Sequence, residues 1–237
     1  MWTDVVDLRD FYATGLGRVA RRMIARRIRQ LWPDLRGLNV LGLGYVTPFL
    51  GVFRGEAERV IAVMPAAQGV IHWPPGEPGL TALGDHTDLP LPDNSIDRAL
   101  IVHALECAER TGPMMREVWR VLADGGRLLV VVPNRRGLWA RFERTPFGHG
   151  RPYSPGQLSR SLRDAMFTPY QSSTALYVPP VGSRMILSSA GAWEEIGQRW
   201  FTTFAGIVML EASKQIYAAP PVAALARKPA YVGIAAH

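Results

Sequence analysis

Apolar residues recur at helical spacing through residues 7–31, where Leu16, Ala20, Met23, Ile24, Ile28 and Leu31 share one face. Arg18, Arg22, Arg26 and Arg29 take the opposite face and Pro33 ends the pattern, so the stretch predicts one long amphipathic helix. Arg27 falls inside the apolar stripe, either snorkelling to the surface or aiming its guanidinium into a site. After Gly37 the period changes. Short apolar runs at 40–43, 60–63, 80–83, 99–102 and 128–132 each predict a buried strand. Between the last two, Met114, Val118, Trp119 and Leu122 give a helical pattern over 113–122 that stops at Asp124-Gly125-Gly126. Strands alternating with helical or irregular segments predict an α/β fold, a doubly wound and mostly parallel sheet with helices on both faces.

The pattern loosens beyond the fifth strand. Residues 134–152 are irregular and basic, with Arg135, Arg136, Arg141, Arg144 and Arg151 among Gly and Pro. Residues 155–166 predict a helix, and 191–204 another whose Trp193, Ile196, Trp200 and Phe204 form one stripe, read as packing on the sheet. A strand over 205–212 follows. These boundaries divide the chain into an N-terminal basic helix packed on the core (1–36), one α/β domain (37–218) and an Ala/Pro-rich tail (219–237), without repeats or a second domain.

Composition narrows the class. At 237 residues and 26.2 kDa the chain can bury a full core, and no apolar run approaches the roughly 20 residues of a membrane span. Asp4, Asp7 and Asp10 stand where a signal peptide would need an apolar region. The lone Cys107 excludes an internal disulfide or a cysteine metal cluster, and the expected compartment is cytoplasmic. His72, His86, His103, His149 and His237 show no metal-ligand spacing. The net charge of +7 rests almost wholly on arginine, Lys214 and Lys228 being the only lysines. That balance is either the codon bias of a GC-rich genome or a basic face for an anionic partner. The arginine face of the first helix suits an acidic protein, whereas nucleic acid is not expected, because no aromatic residues interleave with the arginines.

Candidate chemistry clusters where the predicted strands end, since ligands of open parallel sheets bind at the strands' carboxyl ends. The first strand runs into Gly42-Leu43-Gly44-Tyr45-Val46-Thr47-Pro48 and the second ends at Met64. Asp85 follows the third, within the run GDHTDLPLPDNSID over 84–97, and His103 closes the fourth. Residues 116–134 read REVWRVLADGGRLLVVVPN, and Tyr153-Ser154-Pro155-Gly156-Gln157-Leu158 opens the next helix.

These motifs resemble class I S-adenosylmethionine-dependent methyltransferases of the small-molecule, type 11 kind, over about residues 37–167. The run 89–97 (LPLPDNSID) matches the family's L-P-F-P-D-N-S-F-D almost residue for residue, and Glu117, Arg120, Gly125 and Gly126 take structural positions of E-x-x-R-V-L-k-P-G-G. The resemblance implies a Rossmann-like sheet of seven strands with a C-terminal antiparallel strand, and S-adenosylmethionine as cofactor. It assigns the cofactor site to Gly42, Gly44, Tyr45, Met64, Asp85, His86 and His103, with Asp85 on the adenine amino group and His103 near the methyl donor. His103 and Tyr153 are the candidate bases, with His149 a further one, and Trp73 is either an adenine wall or part of a Pro-stiffened loop. The chain departs from the family at Gly42, where an acidic residue is usual, at Val46 and Pro48 in place of glycines, and at Met64, which cannot accept from ribose hydroxyls as a carboxylate does. Two functions follow: a methyltransferase for a small, anionic acceptor, or a non-catalytic methyltransferase fold acting as a binding partner or scaffold. A dinucleotide oxidoreductase is disfavoured, because no GxGxxG follows the first strand.

Overall fold

In the computed structural model, which describes residues 3–215, the N-terminal stretch is two helices rather than one. Helix α1 (Val5–Ala13) begins at Asp4, whose side chain accepts from the Val6 N–H, and breaks at Thr14. Thr14 is extended and its hydroxyl accepts from the Gly17 N–H, so it caps a new helix, α2 (Gly15–Leu31). Gly17 permits the crossing: a Cβ there would fall 2.0 Å from the Phe11 carbonyl oxygen. The apolar periodicity is continuous across a change of direction, which is why the break is silent in the pattern.

The sheet then builds in chain order. β1 (Asn39–Gly44) leads into α3 (Thr47–Leu50), which has only four residues, and on to β2 (Arg59–Pro65). β3 (Thr81–Gly84) and β4 (Ile96–Val102) follow without helical crossovers, then α4 (Thr111–Val121) and β5 (Leu122–Pro133). α5 (Pro155–Asp164) starts on a capping box between Ser154 and Gln157, followed by β6 (Phe167–Ala175), α6 (Arg184–Ser188), α7 (Ala190–Trp200) and β7 (Ile207–Lys214). The seven strands lie in the order β3-β2-β1-β4-β5-β7-β6, all parallel except β7, which runs antiparallel to both neighbours. The expected doubly wound sheet with a C-terminal antiparallel strand is therefore present. β6 is absent from the apolar pattern because it is an edge strand with mostly polar residues, FTPYQSSTA.

Alternate residues of the central strands enter two cores. Val40, Leu100, Leu129 and Val131 pack beneath α1, α2 and α3. Leu41, Leu43, Ile101, Leu128 and Val130 pack beneath α4 and α5. Arg27 is half-buried and lines a groove with Glu194 and Glu195 of α7. The aromatic stripe departs most from expectation: Trp193, Ile196, Trp200 and Phe204 are exposed rather than packed on the sheet. α7 turns Ala190, Glu194 and Gly197 inward instead. A Cβ on Gly197 would fall 2.2 Å from the Tyr177 ring, and both Glu194 carboxylate oxygens accept from the Leu176 N–H. Among the described residues no helix is long and apolar enough to cross a membrane. The tail 219–237 lies outside the described residues.

The 84–97 run is held by one arginine. Arg120 of α4 donates to the Leu89 and Leu91 carbonyls at 2.9 Å each and to the Glu117 carboxylate at 2.7 Å, and it pairs with Asp93. Glu117 accepts from the Leu89 N–H in turn. Lys214 closes the far side, donating to the Asn94 side-chain oxygen and to the Leu122 carbonyl, while Asp97 accepts from the Asn39 N–H at the start of β1. Arg120→Ala leaves a carboxylate and two carbonyls without their donor, and should lower unfolding free energy in urea by about 2–4 kcal/mol. Arg120→Lys should recover only part, because an ammonium lacks the planar fork. Arg120's hydrogen bonds also hold the Glu117 carboxyl below its ordinary 4.5. The stability that this pairing adds is present above that value and lost as pH falls through the lowered one, so Glu117→Gln should flatten the acid side of a stability–pH profile.

Candidate functional site

The carboxyl ends of β1, β2 and β4 meet in a buried knot. Gly44 ends β1 at φ +88°, and a Cβ there would fall 2.4 Å from the Val102 carbonyl oxygen and 2.8 Å from the Ala104 Cβ. Only glycine permits that backbone and that approach. Upstream, a Cβ on Gly42 would fall 2.3 Å from a Val46 methyl and 2.7 Å from one of Leu50. Val46 and Leu50 thus occupy the space an acidic side chain at 42 would need. Met64 is fully buried at the end of β2.

His103 lies just past β4 at φ +54° and is only 2% exposed. Its Nε2 lies 2.7 Å from the Tyr12 hydroxyl, and its Nδ1 lies 3.4 Å from Glu106 Oε1. Tyr12 comes from α1 and stacks on Tyr45 with ring centroids 5.8 Å apart. Burial pushes the Tyr12 phenol well above its ordinary 10, so it stays protonated. The Gln68 side-chain amide, also buried, donates to the His103 carbonyl at 2.8 Å and so ties the turn after β2 to the loop after β4 across the end of β1, while the Gln68 backbone carbonyl accepts from the Val5 N–H at the start of α1. Two acceptors in this knot lack any donor: Gln68 Oε1 and Glu106 Oε2. The neighbouring Cys107 thiol is pushed up to about 12 by burial and by the Glu106 charge, and the Thr3 N–H points to it.

The remaining predicted residues stand apart. Asp85 is exposed at the end of β3, where its Oδ1 accepts from the Thr87 N–H and hydroxyl at 2.7 Å, and these bonds hold its carboxyl below the ordinary range. His86 is half-buried, 3.8 Å from Asp85, and burial lowers its basicity. Tyr153 pairs with Asn134 past β5, its phenol raised by burial and then by the Glu106 charge. His149 is exposed. Sequence reasoning missed Tyr12, Gln68 and Glu106. The three-residue spacing of His103 and Glu106 was a visible signal; nothing local marks Gln68. Among the described residues no His, Cys, Asp or Glu group is arranged to hold a metal ion.

Two cavities flank the knot. One of about 440 Å³ is lined by Tyr12, Tyr45, Thr47, Arg9, His72 and Trp73, within the ~300–1,000 Å³ range of small-molecule sites. Another of about 380 Å³ lies past β5, among Asn134, Arg136, Ser154, Thr174 and Thr203.

With this geometry in view, residues 36–130 match the family described as the methyltransferase domain. The match runs from just before β1 into β5. No curated protein sequence matches the chain. Solved structures do. A possible histamine N-methyltransferase from Thermotoga maritima is 18% identical, at a TM-score of 0.62 over 89% of this chain and 96% of that one. A structure described as the complex between the Haloferax volcanii Trm112 methyltransferase activator and the putative methyltransferase gives 16% identity and a TM-score of 0.60, over 90% and 100%. Burkholderia thailandensis 1,6-didemethyltoxoflavin-N1-methyltransferase, with bound 1,6-didemethyltoxoflavin and S-adenosylhomocysteine, gives 18% and 0.54, over 85% and 79%. At these identities the likeness establishes the methyltransferase fold.

The filled slot at 42 generates a prediction. Gly42→Asp, which restores the family's acidic residue, should destabilise the protein by about 3 kcal/mol or more, because the carboxylate enters a space held by Val46 and Leu50. Adding Val46→Gly should recover part of that loss in thermal unfolding, since it vacates the nearer contact.

Proposed function

We propose that this chain binds S-adenosylmethionine at the carboxyl ends of β1 to β4 and transfers its methyl group to a small, anionic acceptor, and that α1 must lift for the cofactor to enter. The observation that carries the reading is the pair of donorless acceptors, Gln68 Oε1 and Glu106 Oε2, buried at the strand ends of a methyltransferase domain. Buried polar atoms are rarely left unpaired, and the cofactor's ammonium and hydroxyl groups are donors. The residues present fit the group in kind: Gly44 and Tyr45 on the loop after β1, Gln68 after β2, Asp85 and His86 after β3, and His103 with Glu106 after β4. Gly42 and Met64 would contribute backbone and apolar surface only. Bound there, the cofactor supplies an electrophilic methyl on a sulfonium, whose in-line displacement needs positioning more than covalent help.

The chain's own part is to bind, exclude water and move a proton. With Tyr12 withdrawn, Nε2 of His103 is free to take a proton from the acceptor while Glu106 holds the other ring nitrogen. Tyr153 is the alternative base. The acceptor would lie towards Asn134 and the basic segment, whose Arg135 and Arg136 are exposed. The likeness to the possible histamine N-methyltransferase of Thermotoga and to the 1,6-didemethyltoxoflavin-N1-methyltransferase of Burkholderia supports a small-molecule acceptor. An acidic protein partner on the exposed Arg18, Arg22 and Arg26 of α2 belongs to the same reading, in a cytoplasmic setting. The proposed division is α1 and α2 (1–36), the methyltransferase domain (37–218) and a tail (219–237).

A second reading, a non-catalytic methyltransferase fold that serves as a binding partner, is favoured by the filled slot at Gly42 and the apolar Met64. Calorimetry separates the two. Measurable binding of S-adenosylmethionine or S-adenosylhomocysteine is expected, and Tyr12→Phe, which frees His103 from α1, should tighten it severalfold to about tenfold, the gain from removing a closed-state bias near 1.4 kcal/mol. Because the Thr3 N–H, two residues ahead of α1, points to the buried Cys107 thiol, lifting of α1 should speed thiol labelling when the cofactor is added. No heat with either ligand at millimolar concentration leaves only the second reading.

A further inference from the structure

The segment between β6 and β7 carries an aromatic surface that nothing in the described chain covers. Met185 is 77% exposed, Trp200 70% and Phe204 59%, with Trp193, Ile196 and Phe201 exposed beside them. Trp193, Ile196 and Trp200 recur at i, i+3 and i+7 along α7, so they form one stripe. This stripe is continuous with the basic segment after β5. The Asn134 amide donates to the Thr203 and Ala205 carbonyls, and the side of Gly137 lies against the Ala205 carbonyl. That contact brings the segment after β5 against the backbone that follows Phe204, and this segment exposes Leu138 and Phe142 together with Arg135, Arg136, Arg141 and Arg144. Arg184 and Arg199 add charge on the helical side, against Glu143 and Glu195.

We infer that this face docks on an anionic lipid surface, with Trp193, Ile196, Trp200 and Phe204 entering the headgroup region and the arginines pairing with phosphates. Three features select that occupant. The aromatic side chains stand out from the surface instead of lining a groove, which suits insertion into a soft interface better than a protein's preformed pocket. Their rim is strongly basic, and each arginine near an anionic leaflet adds attraction. A second copy of this chain would set arginine against arginine, since a twofold interface brings each patch onto itself. The C-terminal segment leaves the described structure at Gln215, at the far end of β7 from this patch. The inference stands on this surface alone and does not depend on methyl transfer.

Co-sedimentation of the full chain with phosphatidylcholine vesicles, with and without phosphatidylglycerol, tests it. The protein should pellet with the anionic vesicles and weakly or not at all with phosphatidylcholine alone, and binding should fall steeply with salt. Trp200→Glu with Phe204→Glu should weaken partitioning by about tenfold or more, and Arg141→Ala with Arg144→Ala should remove much of the salt-sensitive part. Both double variants replace exposed side chains, so unchanged circular dichroism and melting temperature should accompany the loss. Failure of the full chain to pellet with anionic vesicles at low salt overturns the proposal. So does undiminished binding by the aromatic variant, which would move the contact to the arginines of α2. Self-association abolished by the same variant, or retention on polyglutamate without vesicle binding, also overturns it, in favour of a second copy or an acidic protein.

Discussion

The guanidinium of Arg120 organises the part of the fold that has no helices of its own. Between β3 and β4 the chain lacks a crossover helix, and its backbone groups would otherwise have no regular partners. One planar fork donates to two of that loop's carbonyls and to Glu117, which accepts from the loop in return. The loop therefore hangs from α4 as though it were an element, and β3 is set at the edge of the sheet with Asp85 at its tip. An arginine suits this place because its donors are fixed in one plane and stay charged throughout the physiological range.

The other end of the sheet is governed by closure. α1 lies across the strand ends and makes one hydrogen bond to His103, one stacked contact to Tyr45 and one backbone bond to Gln68. Each is individually modest, and they leave two buried acceptor oxygens of the knot without a donor. The arrangement is packed, yet it leaves unpaired atoms whose cost a donor-bearing ligand would relieve. The break at Thr14 makes α1 a separate helix from α2.

Much of the fold was legible in the sequence, because strand runs and helix periods report burial directly. The central strands came through within a few residues, and the Leu-Pro-Leu-Pro-Asp-Asn-Ser run marked the family. The misses share one cause. The break at Thr14, the polar edge strand β6 and the outward stripe of α7 all depend on which neighbour an element meets, and a hydrophobic pattern does not record that. The stripe on α7 has the spacing of a buried face, yet Gly197 and Glu194 take the inward place because Tyr177 and the Leu176 amide lie there.

The candidate site divides the same way. The sequence by itself determined the sheet class, the motif run, Gly44 at a strand end and the absence of carboxylates at 42 and 64, since residue type and spacing decide those locally. Only the tertiary structure decided that Val46 and Leu50 fill the slot beside Gly42, that Tyr12 reaches His103 from ninety-one residues away, and that Gln68 ties two strands together over a third. Those are contacts between distant segments, set by side-chain volume and by the need to pair buried polar groups, so they exist only once the chain has closed on itself.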